Sequence, residues 1–390
     1  MKKNIVIGLS LLLVWIALMY VLGTNVSVGI AGYLMGYALA RGYYGFAGSV
    51  NRAYRMKSFR LMQSMLELFI FCAILMAVFF FVRGGYDGFK LKVYPLNLGA
   101  VIGGLLFGIG MAMASCCGSG TLAELGESTT KGFIVLVGFC AGAFLGFRAQ
   151  GASPLVTEGP KVFFPDLVES LPLGLLLGVL ITVVLALFFK WITSLVEKSV
   201  NGKNTVRLSF EEPIDNSKYP TLLEKIFVRP FSLREAVVAI GLAYLLINIT
   251  AKTGWGVTTG FGYWFGKFLV LLGVDVEAVS QYSTRSVDFF MTPLMQSNRT
   301  LLNFGLIIGT VSALIMIGGF KPVFKIKLSY AIFVLLGGFI MGIGTRFGNG
   351  CNAGALLSPI SHFSLSGWLF FVFMVTGGIL GNMAMKRLKI

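Results

Sequence analysis

Apolar residues along this chain come in long unbroken blocks, without the alternation of a half-buried strand or the 3.6-residue stripe of a half-buried helix. Runs at 5–22, 171–189 and 301–320 extend for about 18–20 residues, the length a helix needs to cross ~30 Å of hydrocarbon. Continuous blocks predict membrane-crossing helices at roughly 4–22, 61–82, 132–148, 171–190, 235–250, 301–319 and 366–385. Four further apolar stretches, near 27–41, 97–126, 255–272 and 329–361, are cut by glycine or polar residues and predict broken or re-entrant helices. Whether 255–272 crosses or re-enters is open at this level. The expected fold is an all-α integral membrane protein of about 9–10 crossing helices plus half-helices, because a closed barrel would show short alternating segments instead.

An internal repeat organises the blocks. Gly103-Gly104-Leu105-Leu106-Phe107-Gly108-Ile109-Gly110 matches Gly337-Gly338-Phe339-Ile340-Met341-Gly342-Ile343-Gly344 at an offset of 234 residues. The same offset places Cys117 on Cys351, Gly120 on Gly354 and Leu122 on Leu356, and Gly146 one residue short of Gly381. The expected organisation is a first repeat at 1–150, a linking helix and loop at 151–234 and a second repeat at 235–390, all in one membrane domain.

Charge adds orientation. The segment 41–60 holds Arg41, Arg52, Arg55, Lys57 and Arg60 and no acid, the 321–327 loop holds Lys321, Lys325 and Lys327, and the chain ends Lys386-Arg387-Leu388-Lys389-Ile390. Lysine and arginine mark cytoplasmic loops, so these segments and the loop 191–234 are expected inside, and the acid-bearing loops 151–169 and 275–299 outside. The C-terminus is then cytoplasmic. On this reading 97–126 runs inward and 329–361 outward, which makes the halves inverted repeats, an arrangement common among secondary transporters. The first block follows Met1-Lys2-Lys3 as a signal peptide would, but Gly23-Thr24-Asn25-Val26 offers no small-x-small cleavage site, and a retained helix is expected.

Composition then excludes several functions. Of the residues, 12% are charged, against about 25% in a soluble domain, and the mean hydropathy is +0.84. The net charge of +16 is read as orientation signal, with no nucleic-acid partner implied. One histidine and five cysteines without a C-x-x-C pair argue against zinc, haem and iron–sulfur sites. No cofactor and no metal are expected, and no phosphate-binding loop of the ATPase type is present.

The candidate chemistry sits at two helix breaks. The first copy reads Ala114-Ser115-Cys116-Cys117-Gly118-Ser119-Gly120-Thr121-Leu122-Ala123-Glu124 and the second Gly348-Asn349-Gly350-Cys351-Asn352-Ala353-Gly354-Ala355-Leu356. Irregular backbone at membrane depth is tolerated only where it is buried in protein or lines a cavity. Such a break turns backbone N–H groups and the positive end of the restarted helix toward the centre, where they can hold a small anion. Ser119 or Thr121 in the first copy, and Asn352 in the second, are suitable caps for the restarted helices. A thiol there is a weak donor with a polarisable sulfur, better suited to a sulfur-bearing ligand than to a hard oxyanion. Cys72 and Cys140 lie inside continuous spans and read as packing residues; Cys116 is either a spare thiol or a gap filler.

Segments 104–127 and 338–358 resemble the two signature stretches of the YeeE/YedE family of sulfur transporters, and 36–47 resembles that family's first motif. The resemblance implies uptake of thiosulfate through an hourglass-shaped protein, the ion passing between cysteines by transient S–H···S hydrogen bonds. It also implies a small cytoplasmic sulfur-carrier protein of the TusA type as partner, and the bacterial cytoplasmic membrane as the location. Cys117 and Cys351 match the family's second and third functional cysteines. The first is missing, since Arg41-Gly42-Tyr43-Tyr44-Gly45-Phe46 carries Gly45 where thiosulfate transporters have cysteine. That departure resembles the YedE branch associated with selenium metabolism.

The expected site is therefore Cys117, Cys351, Cys116, Ser119, Gly120, Thr121, Asn352 and Gly350, binding thiosulfate or a related sulfur or selenium anion, with no catalytic residue. Arg346, Glu127 and Arg41 are accessory candidates. Arg346 either neutralises the anion or snorkels to the surface; Glu127 fits a cap or gate; Glu67 is expected to pair with a base, and His362 to sit at a loop end. Competing readings are a membrane thiol oxidoreductase using Cys116 and Cys117, and a membrane anchor for a sulfur-carrier protein.

Overall fold

The computed structural model of the chain describes every residue except Met1, Lys203, Pro213, Lys321, Lys389 and Ile390. The orientation signals Lys321 and Lys389 thus lie outside the described residues. Thirteen helices of ten residues or more run along the rest: α1 Lys2–Val21, α2 Val26–Arg41, α3 Phe46–Met56, α4 Arg60–Arg83, α5 Leu98–Ala114, α6 Gly118–Glu127, α7 Thr129–Leu145, α8 Leu171–Asn201, α9 Leu233–Ala251, α10 Thr258–Leu271, α11 Asn298–Met316, α12 Leu328–Phe347 and α13 Leu365–Leu388. Pairing between extended segments among the described residues is confined to two isolated bridges, Lys90 with Thr253 and Phe163 with Ser364. Nine segments of the described chain are long and apolar enough to cross a membrane. Helices prevail because a backbone in hydrocarbon must satisfy its own hydrogen bonds.

Several boundaries differ from the sequence reading. Helix α2 is continuous over 16 residues, and its break falls after Arg41, where Tyr43 takes a left-handed backbone (φ 45). Segment 255–272 resolves into α10, uninterrupted for 14 residues; at 1.5 Å per residue that is about 21 Å, too short to cross alone. Helix α8 continues past 190 to Asn201, because Trp191-Ile192-Thr193-Ser194-Leu195-Val196-Glu197-Lys198 contains no helix breaker before Gly202. The expected breaks in 97–126 and 329–361 are present. Ser115 adopts φ 56 and Cys117 is extended between α5 and α6. After α12, Asn349 (φ 60) and extended Cys351 lead into a π-helical turn, Asn352–Leu357, and then Ser358–Ser361.

Glycine faces bring the helices together. A methyl group on Gly36 of α2 would collide with the Leu306 carbonyl of α11, and one on Gly309 of α11 with the Tyr33 carbonyl of α2. Likewise Gly108 of α5 abuts the Met374 carbonyl of α13, and Gly142 of α7 abuts the Phe339 carbonyl of α12. Helices α5 and α12 cross antiparallel, Gly103 lying on Gly348 and Gly110 on Gly337. Small residues at such crossings let backbones approach closely, which drives association where lipid is as apolar as leucine. The Glu67 carboxylate is 2.6 Å from the Lys190 amine, linking α4 to α8.

Candidate functional site: a thiol septum between a cavity and a basic cluster

At each knot the cysteine carbonyl accepts the first hydrogen bond of the restarted helix, from Thr121 N–H at one and Ala355 N–H at the other, both at 2.7 Å. The caps expected from the sequence are not those used. Cys117 itself is the N-cap of α6, its sulfur accepting the Gly120 N–H at 3.4 Å. Thr121 lies one turn inside and donates to the Cys117 carbonyl at 2.8 Å, while the Ser119 hydroxyl sits 3.5 Å from the Cys117 sulfur. The left-handed turn at Ser115 advances the break by a few residues, and this displaces both hydroxyls from the capping position. Asn352 does not cap either. Its amide points to the Met111 sulfur at 3.6 Å, and its buried carbonyl oxygen has no partner among the described residues. Gly350 is required where it stands, since a Cβ there would lie 2.7 Å from Ala355 N.

The two knots abut. A methyl group on Gly118 would lie 2.9 Å from Cys351 Sγ and 3.0 Å from the Thr258 methyl, so the start of α10 joins them. Cys117 and Cys351 are both buried, each at 1% exposure. Their surroundings differ: Cys117 borders a cavity, and Cys351 has the Arg346 charge nearby.

On one side is a cavity of about 320 Å³ lined by Cys116, Cys117, Ser119, Gly120 and Glu127, by Gly45 of the α2–α3 turn, and by Arg52 and Arg55 of α3. Gly45 has ordinary extended backbone (φ −111), and the nearest atom to a Cβ there would be 4.0 Å away. Gly45, where the resemblance leads one to expect cysteine, therefore leaves open space in the wall. Cys72 and Cys140 are buried in α4 and α7 and do not line the cavity.

Arg52 and Arg55 are not legible as wall residues from the sequence, where 41–60 shows them only as part of a run of orientation charges. Arg55 donates to the Asn382 side-chain oxygen (2.6 Å) and the Ala112 carbonyl (3.0 Å), and it pairs with no carboxylate among the described residues. Arg52 pairs with Glu211 at 3.2 Å. Glu211 also accepts the Ser58 hydroxyl, and Phe210 packs on Tyr43 and under the Arg52 guanidinium, so this part of the 202–221 loop is held against two residues of the cavity wall. Arg41 is absent from the wall. It is buried, hydrogen-bonded to the Tyr37 hydroxyl at 2.9 Å and to the Ile226 and Arg229 carbonyls, and stacked on Phe231. Its charge is spent on anchoring the loop.

On the other side lies Arg346. It is 1% exposed and does not snorkel. Its guanidinium donates to the Thr258 hydroxyl (2.5 Å), the Thr259 hydroxyl (3.3 Å) and the Gln150 side-chain oxygen (3.2 Å). Lys92, Arg285 and Arg299 stand within its electrostatic reach. None of the four cations pairs with a carboxylate among the described residues. Lys92 belongs to the extended linker after α4; burial, and then the charges of Arg299 and Arg346, lower its amine to about 8. His362 holds this linker. Fully buried, it accepts the Lys92 backbone N–H at Nδ1 (3.0 Å), so Nε2 carries the proton toward the Asn248 side-chain oxygen (3.0 Å). It stands in the turn after Ser358–Ser361, at a helix end as expected, and it is buried there as a packing centre.

Multi-pass helices, two interrupted segments meeting at buried thiols and uncompensated cations beside them define a membrane transport protein for a small anion. Over residues 41–380 the chain matches the family described as sulphur transport. It belongs to that family, whose members are transporters and not enzymes. The chain is 27% identical over 363 residues to the thiosulfate transporter TsuA of Spirochaeta thermophila, covering 89% of this chain and 95% of the relative. It is 24% identical over 357 residues to TsuA of Escherichia coli, covering 89% and 91%. A shorter match, 32% over 149 residues and 37% of this chain against 36% of the relative, is to the probable transporter YedE of Salmonella typhimurium.

Proposed function

We propose that the protein takes up thiosulfate, or a closely related sulfur anion, across the bacterial cytoplasmic membrane, with Cys351 and Cys117 as adjoining thiol stations. The contact of Cys351 Sγ with the Gly118 position carries this reading, because it leaves no intervening residue between the two knots. Thiosulfate has hard sulfonate oxygens at one end and a soft sulfur at the other. Arginine and hydroxyl donors suit the first, and a polarisable thiol suits the second. The buried Arg346 with Thr258 would hold the oxygens while the terminal sulfur faces Cys351. Cys116, Cys117 and Arg55 would receive the ion in the cavity. Cys116 supplies a thiol on the side where Gly45 supplies none.

The antiparallel crossing of α5 and α12 supports reading the halves as inverted repeats, and the basic 41–60 segment supports a cytoplasmic cavity mouth and C-terminus. A small sulfur-carrier protein of the TusA type would meet the anion at that mouth. Two whole-length relatives that are thiosulfate transporters support the substrate.

Purified protein in liposomes is expected to accumulate labelled thiosulfate saturably, with unlabelled thiosulfate competing better than sulfate or selenite. No uptake, or equal competition by sulfate, would overturn the reading. A pH test follows from Lys92. Its amine is charged below about 8 and neutral above, and a bound anion moves that midpoint upward. The apparent KM is expected to rise several-fold as the pH on its side goes from 7 to 10. Lys92→Arg, charged throughout, should flatten the profile; an unchanged slope would remove Lys92 from the anion path.

A further inference from the structure

A second cavity, of about 250 Å³, lies where the 317–327 loop meets the start of α7. Lys131, Lys325 and Lys327 line it with Ser128, Thr130 and Tyr330, and no carboxylate contributes to its wall. Lys131 is fixed by Glu124 at 2.9 Å, which leaves Lys325 and Lys327 uncompensated among the described residues. Helix α7 is 17 residues long and begins in this cavity with no side-chain cap from Ser128, so the positive end of its dipole adds to the lysines.

The neighbouring side chains point to the ligand's other half. Phe324 and Leu328 are 71% and 76% exposed and flank Lys325-Ile326-Lys327, from the end of the loop to the first residue of α12. In a chain that spans a bilayer, exposed apolar side chains interleaved with lysines mark the headgroup level, where amines meet phosphate and apolar groups meet acyl chains. A soluble phosphate would use the amines alone and leave Phe324 and Leu328 in water. We propose that this cavity binds the phosphate headgroup of an anionic membrane lipid, with its acyl chains lying along Phe324 and Leu328.

The probe is phosphatidylglycerol mixed with phosphatidylcholine. The full chain is purified from mixed-lipid nanodiscs, and retained lipid is counted by native mass spectrometry. Wild type is expected to retain phosphatidylglycerol over phosphatidylcholine by about tenfold or more, roughly what two lysines contribute. Lys325→Gln/Lys327→Gln should lose the preference, and Lys325→Arg/Lys327→Arg should keep it. Helical content and thiosulfate uptake in phosphatidylcholine alone should match wild type in both, since these exposed side chains support no packing. Equal retention by the glutamine variant would overturn the proposal. So would displacement of the lipid by millimolar inorganic phosphate, which would assign the cavity to a soluble anion.

Discussion

Cys117→Ser and Cys351→Ser are each expected to lower thiosulfate uptake at least tenfold, equivalent to about 1.4 kcal/mol of lost binding or barrier height, with folded protein at wild-type yield. The substitution is informative because oxygen replaces sulfur with little change in shape. At Cys117 the N-cap role survives, since serine accepts the Gly120 N–H at least as well as the thiol does. What disappears is the polarisable sulfur that the proposed function sets against the ligand's own sulfur. Sulfate carries no terminal sulfur, so any residual sulfate flux should be unchanged. Cys72→Ala and Cys140→Ala, both outside the cavity, serve as controls and should keep uptake within about twofold. Wild-type uptake by both serine variants would sink the thiol mechanism while leaving the family membership untouched.

Gly36→Val and Gly309→Val are expected to cost the most stability, about 3 kcal/mol or more each, at the upper end of overpacking. The added Cβ meets backbone carbonyls, of Leu306 and Tyr33 respectively, and no flexible side chain can swing aside. Moving α2 and α11 apart would open the crossing of helices that lipid cannot refill without lost packing. The expected readout is a sharp fall in monodisperse protein and in the thermal midpoint. Gly256→Ala is the contrast, because nothing lies within 4 Å of its Cβ position and its φ is not in the left-handed region. Equal midpoints for Gly36→Val and Gly256→Ala would show that the α2–α11 contact does not hold the fold together.

Much of the architecture was legible in one dimension. Hydropathy blocks located the crossing helices, since the bilayer imposes a length and an apolar composition that no other environment demands. The repeat at an offset of 234 placed Cys117 and Cys351 in register, and both stand at breaks as expected. Glu67 has the basic partner it needed in Lys190. Boundaries were less legible, because α8 outruns its apolar block wherever polar helix formers follow it.

The placement of charged side chains is the feature least encoded in the local sequence, for a physical reason. Counting lysine and arginine assigns a segment to one side of the membrane but does not say where a side chain points. Arg41, Arg52 and Arg55 share one basic segment, yet Arg41 clamps a loop while Arg52 and Arg55 line a cavity. Arg346 could have snorkelled, and it is buried only because Thr258 and Thr259 at the start of α10, together with Gln150, offer it oxygens. The sequence by itself determined the membrane helices, the paired breaks and the sulfur at each break, all properties of composition and spacing. Tertiary structure decided that the two cysteine knots abut and that four cations gather near one of them. Those facts depend on glycine-lined helix crossings between residues more than a hundred positions apart, which no local pattern encodes.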